Sequence, residues 1–249
     1  MKHYTIILLS GLLLVSIACT DLLKEVNTSL SEEEMAEGLK AALQVGTDTA
    51  VGRLSSVNGY LKDEAVKILL PPEGVKILNT VNSIPDATTR GIINDQIDKV
   101  IESMNRAAED AASEARPIFV EAITNLTIQD AIGILNGPDT AATGYLHGAT
   151  YSQLLTAFTP KINNSLNNPI VFGQSTESLY KDLINAYNTA SLGGFLFDQI
   201  TENSLSTHVT SQALTGLFFK VGDEERMIRH DPLHRVSEIL KKVFGNEYD

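Results

Sequence analysis

The chain has no tryptophan, one cysteine and few aromatic residues, which make up 6% of its positions. The missing tryptophan argues against carbohydrate recognition by stacked indoles. A lone cysteine excludes a disulfide framework. Basic residues are scarce: 19 lysines and arginines stand against 31 acids, a formal charge of −12. No basic stripe interrupts that acidity, so nucleic acid is excluded as a partner, and anionic lipid heads are disfavoured. No stretch alternates apolar and polar residues for long, which argues against a sheet. A G-x-S-x-G elbow and a G-x-x-x-x-G-K-[ST] loop are both missing, so serine hydrolysis and phosphate cradling have no motif to rest on. Internal repeats and low-complexity runs are also absent.

What is present begins with an address. The first residues read MKHYTIILLSGLLLVSIAC. Lys2 makes a positive end, and Ile6 to Ile17 is apolar apart from Ser10, Gly11 and Ser16. That run is too short for a spanning helix, which takes ~20 apolar residues. It suits the h-region of a secretory signal peptide, ~7–15 residues long. Small residues lead into Cys19, a pattern resembling a lipobox. Ser16 stands where leucine is usual, with Val15 one place earlier. Residues 1–18 are therefore expected to be a lipoprotein signal peptide, with Cys19 acylated and 19–30 a lipidated tether. Stable anchoring takes more than one acyl chain, which a diacylated or triacylated cysteine supplies. Thr20 gives no aspartate-type inner-membrane retention signal, so the outer membrane is expected, with the domain facing the periplasm or the surface. Removing 18 of 249 residues leaves 231, and it takes the formal charge to −13 because Lys2 is lost with no acid. That length, at 43% hydrophobic residues, can bury one large core without disulfides.

Helical signals fill residues 31–249. Ser31 and Glu34 have the spacing of a capping box, ahead of Met35, Leu39, Leu43, Ala50 and Leu54. Residues 61–70 suggest one or two helical turns. Pro72 opens a short helix facing inward through Val75, Leu78 and Val81. From Thr89 to about Ala115, apolar residues Ile93, Ile97, Val100, Met104, Ala107 and Ala111 are spaced 4, 3, 4, 3 and 4, the rhythm of packed helices. Pro117 ends or kinks that helix. Thr127 and Asp130 cap another, stopped by Gly137 in a left-handed position with Pro138 beyond. Asp139 is placed to cap the next turn. Further helices span Thr150–Leu166, a segment opened by Ser175 or Ser178, and about Ser206–Arg229, with Gly193-Gly194 as a joint. Asp231-Pro232 begins a final helix that places Leu233, Val236, Leu240 and Val243 inward. Proline and glycine fall between these segments. The expected fold is all-α, a single bundle-like domain of about eight to ten helices, several of them short.

Five ordered segments then read as a set: LSEEEMAEGLKAAL at 30–43, MNRAAEDAASEARPIFVEAI at 104–123, TIQDAIGILNGPDTAAT at 127–143, LLTAFTPKI at 154–162 and ALTGLFFKVGDEERMIRHDPLHR at 213–235. Together they resemble the bacterial lipoprotein family catalogued as domain of unknown function 4197. The resemblance implies a helical envelope lipoprotein and no activity.

Two polar groups are candidate sites. Asn105, Arg106 and Glu109 lie on the 89–115 helix, as ligand contacts in a groove or as a structural hydrogen-bond cluster. Glu225 precedes Arg229 by four residues, and Arg229 and Arg235 flank Asp231-Pro232. That set is either an anion clamp or a locked corner. His230 and His234, with Asp231 or Glu225, raise a metal reading. The cap between them puts the histidines on different elements, and His147 and His208 are remote in sequence, so no metal and no cofactor are expected. The loop Asn136–Thr140 precedes a helix start, where anions bind, though capping alone accounts for its residues. Asp48-Thr49-Ala50 and Asp139-Thr140-Ala141 match a short bacterial O-glycosylation triplet. The function read from this is a membrane-anchored, non-enzymatic binding or scaffolding module, with an envelope protein or lipid as partner. The alternative is an envelope enzyme with a carboxylate/arginine site, which needs Arg106 and Arg229 in one pocket.

Overall fold

A computed structural model describes residues 30–245 apart from Phe172, Phe197, Glu202 and Asn203. The expected signal peptide (1–18), Cys19 and the expected tether up to residue 29 lie outside the described residues. Where the chain is described, several helices start at residues whose side chains absorb orphan backbone N–H groups. Helix α1 (Glu32–Leu54) opens on Ser31, whose hydroxyl accepts from the Glu34 N–H at 3.2 Å while Glu34 accepts from the Ser31 N–H at 2.9 Å. The same reciprocal box, Thr127 with Asp130, opens α5 (Ile128–Leu135). Asp86 caps α3 (Ala87–Ala112), accepting from the Thr89 N–H at 2.7 Å. Ser175 caps α7 (Thr176–Ala190).

Residues 61–70 do not form the expected helical turns; they run as turns and extended chain. Side chains of α3 meet the backbone of Leu61 and Ile68, while Lys62, Asp63, Val66 and Lys67 pair with nearby backbone carbonyls in isolated turns. In α2 (Pro72–Asn82) the buried face is Gly74, Ile77 and Val81, and Val75 is exposed. The break after α3 comes at Ser113-Glu114, ahead of Pro117, which sits in the first turn of α4 (Ala115–Thr124). A proline is tolerated there because its missing N–H would have had no helical partner. Gly137 does not have a positive φ. Its lack of a side chain answers a close approach: a Cβ there would lie 2.7 Å from the Ala141 Cβ.

Helix α6 (Ala141–Asn167) begins nine residues before the expected Thr150 and carries Pro160 inside it. Proline therefore does fall within a helix here. Pro160 is on the exposed face, whereas Leu154, Phe158, Ile162 and Leu166 are fully buried opposite it. At ~1.5–3 kcal/mol per buried side chain, that face outweighs the ~3 kcal/mol an interior proline costs. A two-stranded antiparallel ribbon, β1 (Pro169–Val171) with β2 (Gln174–Ser175), links α6 to α7.

Helix α8 (Leu205–His230) is the axis of the core, packed on α1, α6 and α3. It runs antiparallel to α1: Gly46 lies against Glu224 and Ile228, and farther along the Tyr60 O–H donates to the Ala213 carbonyl at 2.8 Å. The alanines of α3 (Ala107, Ala108, Ala111 and Ala112) are at most 1% exposed and let neighbouring helices approach closely. After α8, Asp231 caps only a single 3-10 turn, Pro232–His234, and α9 (Glu238–Phe244) restarts on Ser237. The expected inward positions Leu233 and Val236 are 87% and 69% exposed. The Arg235 guanidinium ties the chain back to the end of α8, and the Arg235 backbone (φ −85°, ψ 71°) leaves the helical region. Leu240 and Phe244 carry the packing of α9. The nine α-helices among the described residues make one all-α domain.

Candidate functional site

The two sequence candidates lie in separate clusters. The first begins with the irregular segment after α1, only part of whose backbone is paired in local turns. Glu109 on α3 reaches it: one carboxylate oxygen accepts from the N–H groups of Tyr60 and Leu61 at 3.1 and 3.2 Å. Arg106, one turn earlier, donates to the other oxygen at 2.7 Å and to the Asn58 side chain at 3.0 Å. Asn105 pairs with Ile68 as a strand would, accepting from its N–H and donating to its carbonyl, both at 2.8 Å. Asn105 is fully buried and Glu109 nearly so. The bond from Arg106 to Glu109 raises the guanidinium above its ordinary pKa. Burial, and then the Glu109 charge, push the Tyr60 phenol far upward.

The second cluster joins helix ends. Glu225 on α8 receives the N–H groups of Ala142 and Thr143, at 3.0 and 2.8 Å, and the Thr143 hydroxyl at 2.7 Å. It therefore caps α6 from another helix. Thr140, at the cap position, makes no such bond, and Asp139 pairs with His230 at 2.9 Å instead of capping. Arg229 donates to Glu225 from Nε and Nη2, at 3.2 and 3.0 Å, and to the carbonyls of Ile134 and Leu135 at the end of α5. The Arg229–Glu225 pair thus holds the α5–α6 corner by both its dipole ends. Arg235 does not converge on a clamp with Arg229. Its guanidinium is bound to the Ile228 and Arg229 carbonyls at 3.3 and 2.9 Å. Asp231 accepts from the Leu233 N–H at 2.9 Å and pairs with His234 at 2.9 Å. The Leu233 bond, aided by His234 and Arg235, holds its carboxyl below the ordinary range.

A family model described as protein of unknown function (DUF4197) matches residues 29–245. The chain belongs to this family. Neither curated proteins nor solved structures give a match. The match covers both clusters of the DUF4197 domain. Beside Glu225 and Arg229, lined also by Leu39, Leu43, Ala142 and Val221, is a void of about 20 Å³, room for one water molecule. Arg106 does not line it. The Glu225 carboxylate takes five donors from Ala142, Thr143 and Arg229, more than its roughly four lone-pair sites accommodate singly.

Other candidates sit apart from both clusters. Among the described residues no group of three or more His, Cys, Asp or Glu is placed to hold a metal ion. His147 stacks on Tyr151 and lies tilted against Phe218, with ring centroids 4.9 and 4.6 Å away. His208 is 2.9 Å from the Leu69 carbonyl. Of the two O-glycosylation triplets, Thr49 lies inside α1 and donates to the Val45 carbonyl, while Thr140 is exposed ahead of α6. Sequence reasoning missed Glu177, which accepts from the Leu205 N–H at the start of α8, and Glu224, paired with Arg53 at 2.5 Å. Each serves a partner distant in sequence, and neither spacing nor periodicity carries a signal for that.

Proposed function

We propose that this DUF4197 chain is an outer-membrane lipoprotein, held by an acylated Cys19, whose helical domain is a non-enzymatic binding or scaffolding module. The anchor rests on the short apolar leader that ends at the only cysteine. The non-enzymatic character rests on one observation: the charged groups that could have done chemistry are consumed in pinning backbone. Glu109 and Glu225 each serve two N–H groups of a distant segment. Among the described residues no single helix is long and apolar enough to cross a membrane.

The anchor is tested by mass spectrometry of the native protein's N-terminal peptide. A diacylated or triacylated cysteine is expected, and Cys19→Ala should move the protein out of the membrane fraction. An unmodified sulfur or an uncut leader would overturn the anchor. The scaffold role is tested by crosslinking in intact envelope, where a defined protein or lipid partner is expected. Recovery of none under any condition would count against it.

A further inference from the structure

The segment joining α7 to α8 presents Leu192, Phe195 and Leu196 to solvent at 66%, 85% and 60% exposure. This is a built turn. Leu192, Gly193 and Gly194 have φ of 52°, 71° and 94°. The Ser191 hydroxyl accepts from the Gly194 N–H at 3.1 Å, and the Ser191 carbonyl accepts from the Leu196 N–H at 3.0 Å. Its base is stapled where Asn188 both donates to and accepts from the backbone of Ile200, at 2.9 and 2.8 Å, and Ile200 itself is buried. Leu192 adopts the left-handed region that leucine rarely occupies, and the three side chains form one exposed apolar patch.

The cover is identified by size, shape and charge. Three such side chains expose roughly 400 Å², about half of the ~800 Å² each partner gives to a stable protein interface. So small a patch is short of a protein interface, whereas a bilayer needs no matching shape. The chain has no lysine or arginine from Asp182 to Phe219, so attraction to anionic heads is missing and a zwitterionic surface fits. The tip leads into the N-terminal end of α8, ~39 Å along that helix from the end packed beside the first half of α1. We propose that the Leu192–Leu196 tip inserts into the interfacial layer of a phosphatidylcholine- or phosphatidylethanolamine-type bilayer, as a membrane contact separate from the anchor. The inference rests on the anchor reading only to bring a bilayer within reach.

The chain's lack of tryptophan makes the test direct. Phe195→Trp supplies the sole indole. The full, acylated protein is reconstituted into phosphatidylcholine vesicles and floated on a density gradient, with a separate Gln153→Trp protein, substituted on the exposed face of α6, as the water-facing control. Brominated phosphatidylcholine should remove about half of the emission of the Phe195→Trp protein, as for a side chain ~5–10 Å into the interface, and leave that of the Gln153→Trp protein unaffected. Adding Leu196→Asp to the Phe195→Trp protein should abolish quenching while the protein still floats. Phe195→Trp protein that floats with its indole unquenched would overturn the tip and leave the anchor standing. Failure to float, without quenching, would overturn both. Emission that shifts without vesicles, in proportion to protein concentration, would assign the tip to self-association and overturn the proposal.

Discussion

Glu109 and Glu225 solve the same problem in different surroundings. Each carboxylate accepts from two backbone N–H groups of a distant segment and from an arginine on its own helix. Glu109 pins extended chain to α3, and Glu225 caps the start of α6. The contrast lies in the arginines: the Arg106 side chain is 35% exposed and that of Arg229 is 2% exposed. The first cluster keeps one foot in water, while the second is closed. A cluster with access to water can lose a member and rehydrate, but a closed one must keep every member or bear an uncompensated charge.

Removing Arg229 should therefore have the largest effect. Arg229→Met leaves Glu225 buried without its counter-charge and leaves the Ile134 and Leu135 carbonyls without that donor. The expected loss is about 3–5 kcal/mol, read as a lower denaturant midpoint at unchanged slope. Adding Glu225→Leu should recover part of it, because the stranded charge goes too. A loss near that of an ordinary surface change would erase the distinction between the clusters.

Glu109→Ala should cost less, about 2 kcal/mol, since Arg106 can turn to water and keep Asn58 and Glu102. Its signature is local. Amide exchange should rise at Tyr60 and Leu61, which lose their acceptor, and stay slow along α8. Exchange that rises equally in both places would mean the segment is not pinned by this carboxylate.

The open cluster also has an alkaline limit. The Tyr60 phenol is raised above its ordinary 10.0 by burial first and the Glu109 charge second. The fold favours the neutral form, so this stability is complete below that pH and is lost as pH rises, by about 1.4 kcal/mol per unit. Denaturant midpoints should fall above about pH 10, and less steeply in Tyr60→Phe. The smallest effect belongs to Asp231, at the exposed rim of the closed cluster. Its carboxyl is lowered chiefly by the Leu233 N–H, so its contribution is present above the ordinary 3.8 and is lost as pH falls through the lowered value. Asp231→Asn should flatten that acid limb and change little at neutral pH.

Capping signals are legible in the sequence because they are local. Ser31 with Glu34, and Thr127 with Asp130, need only three residues of chain to find each other. The 4-3 spacing from Ile93 to Ala111 places α3, though not its cap at Asp86, ahead of the expected start at Thr89. Periodicity misleads where a side chain from elsewhere supplies the backbone partner. Residues 61–70 read as helical turns, yet Asn105 and Glu109 serve their segment from α3. Leu233 and Val236 read as inward, yet Arg235 breaks the helix that would have turned them. Of the candidate sites, the residues are legible and their partners are not: Glu225 and Ala142 are 83 positions apart.

From composition and spacing alone came an all-α chain, several of its caps, most of its helix ends and the families of side chain that would carry charge. Those depend on interactions within a turn or two, whose free energies are set before the helices meet. Only the tertiary structure decided which orphan N–H or carbonyl each buried carboxylate and arginine would satisfy, and which face of each short helix would be covered. Those choices follow from helices crossing at particular places, and a linear sequence does not encode the crossing at any single position.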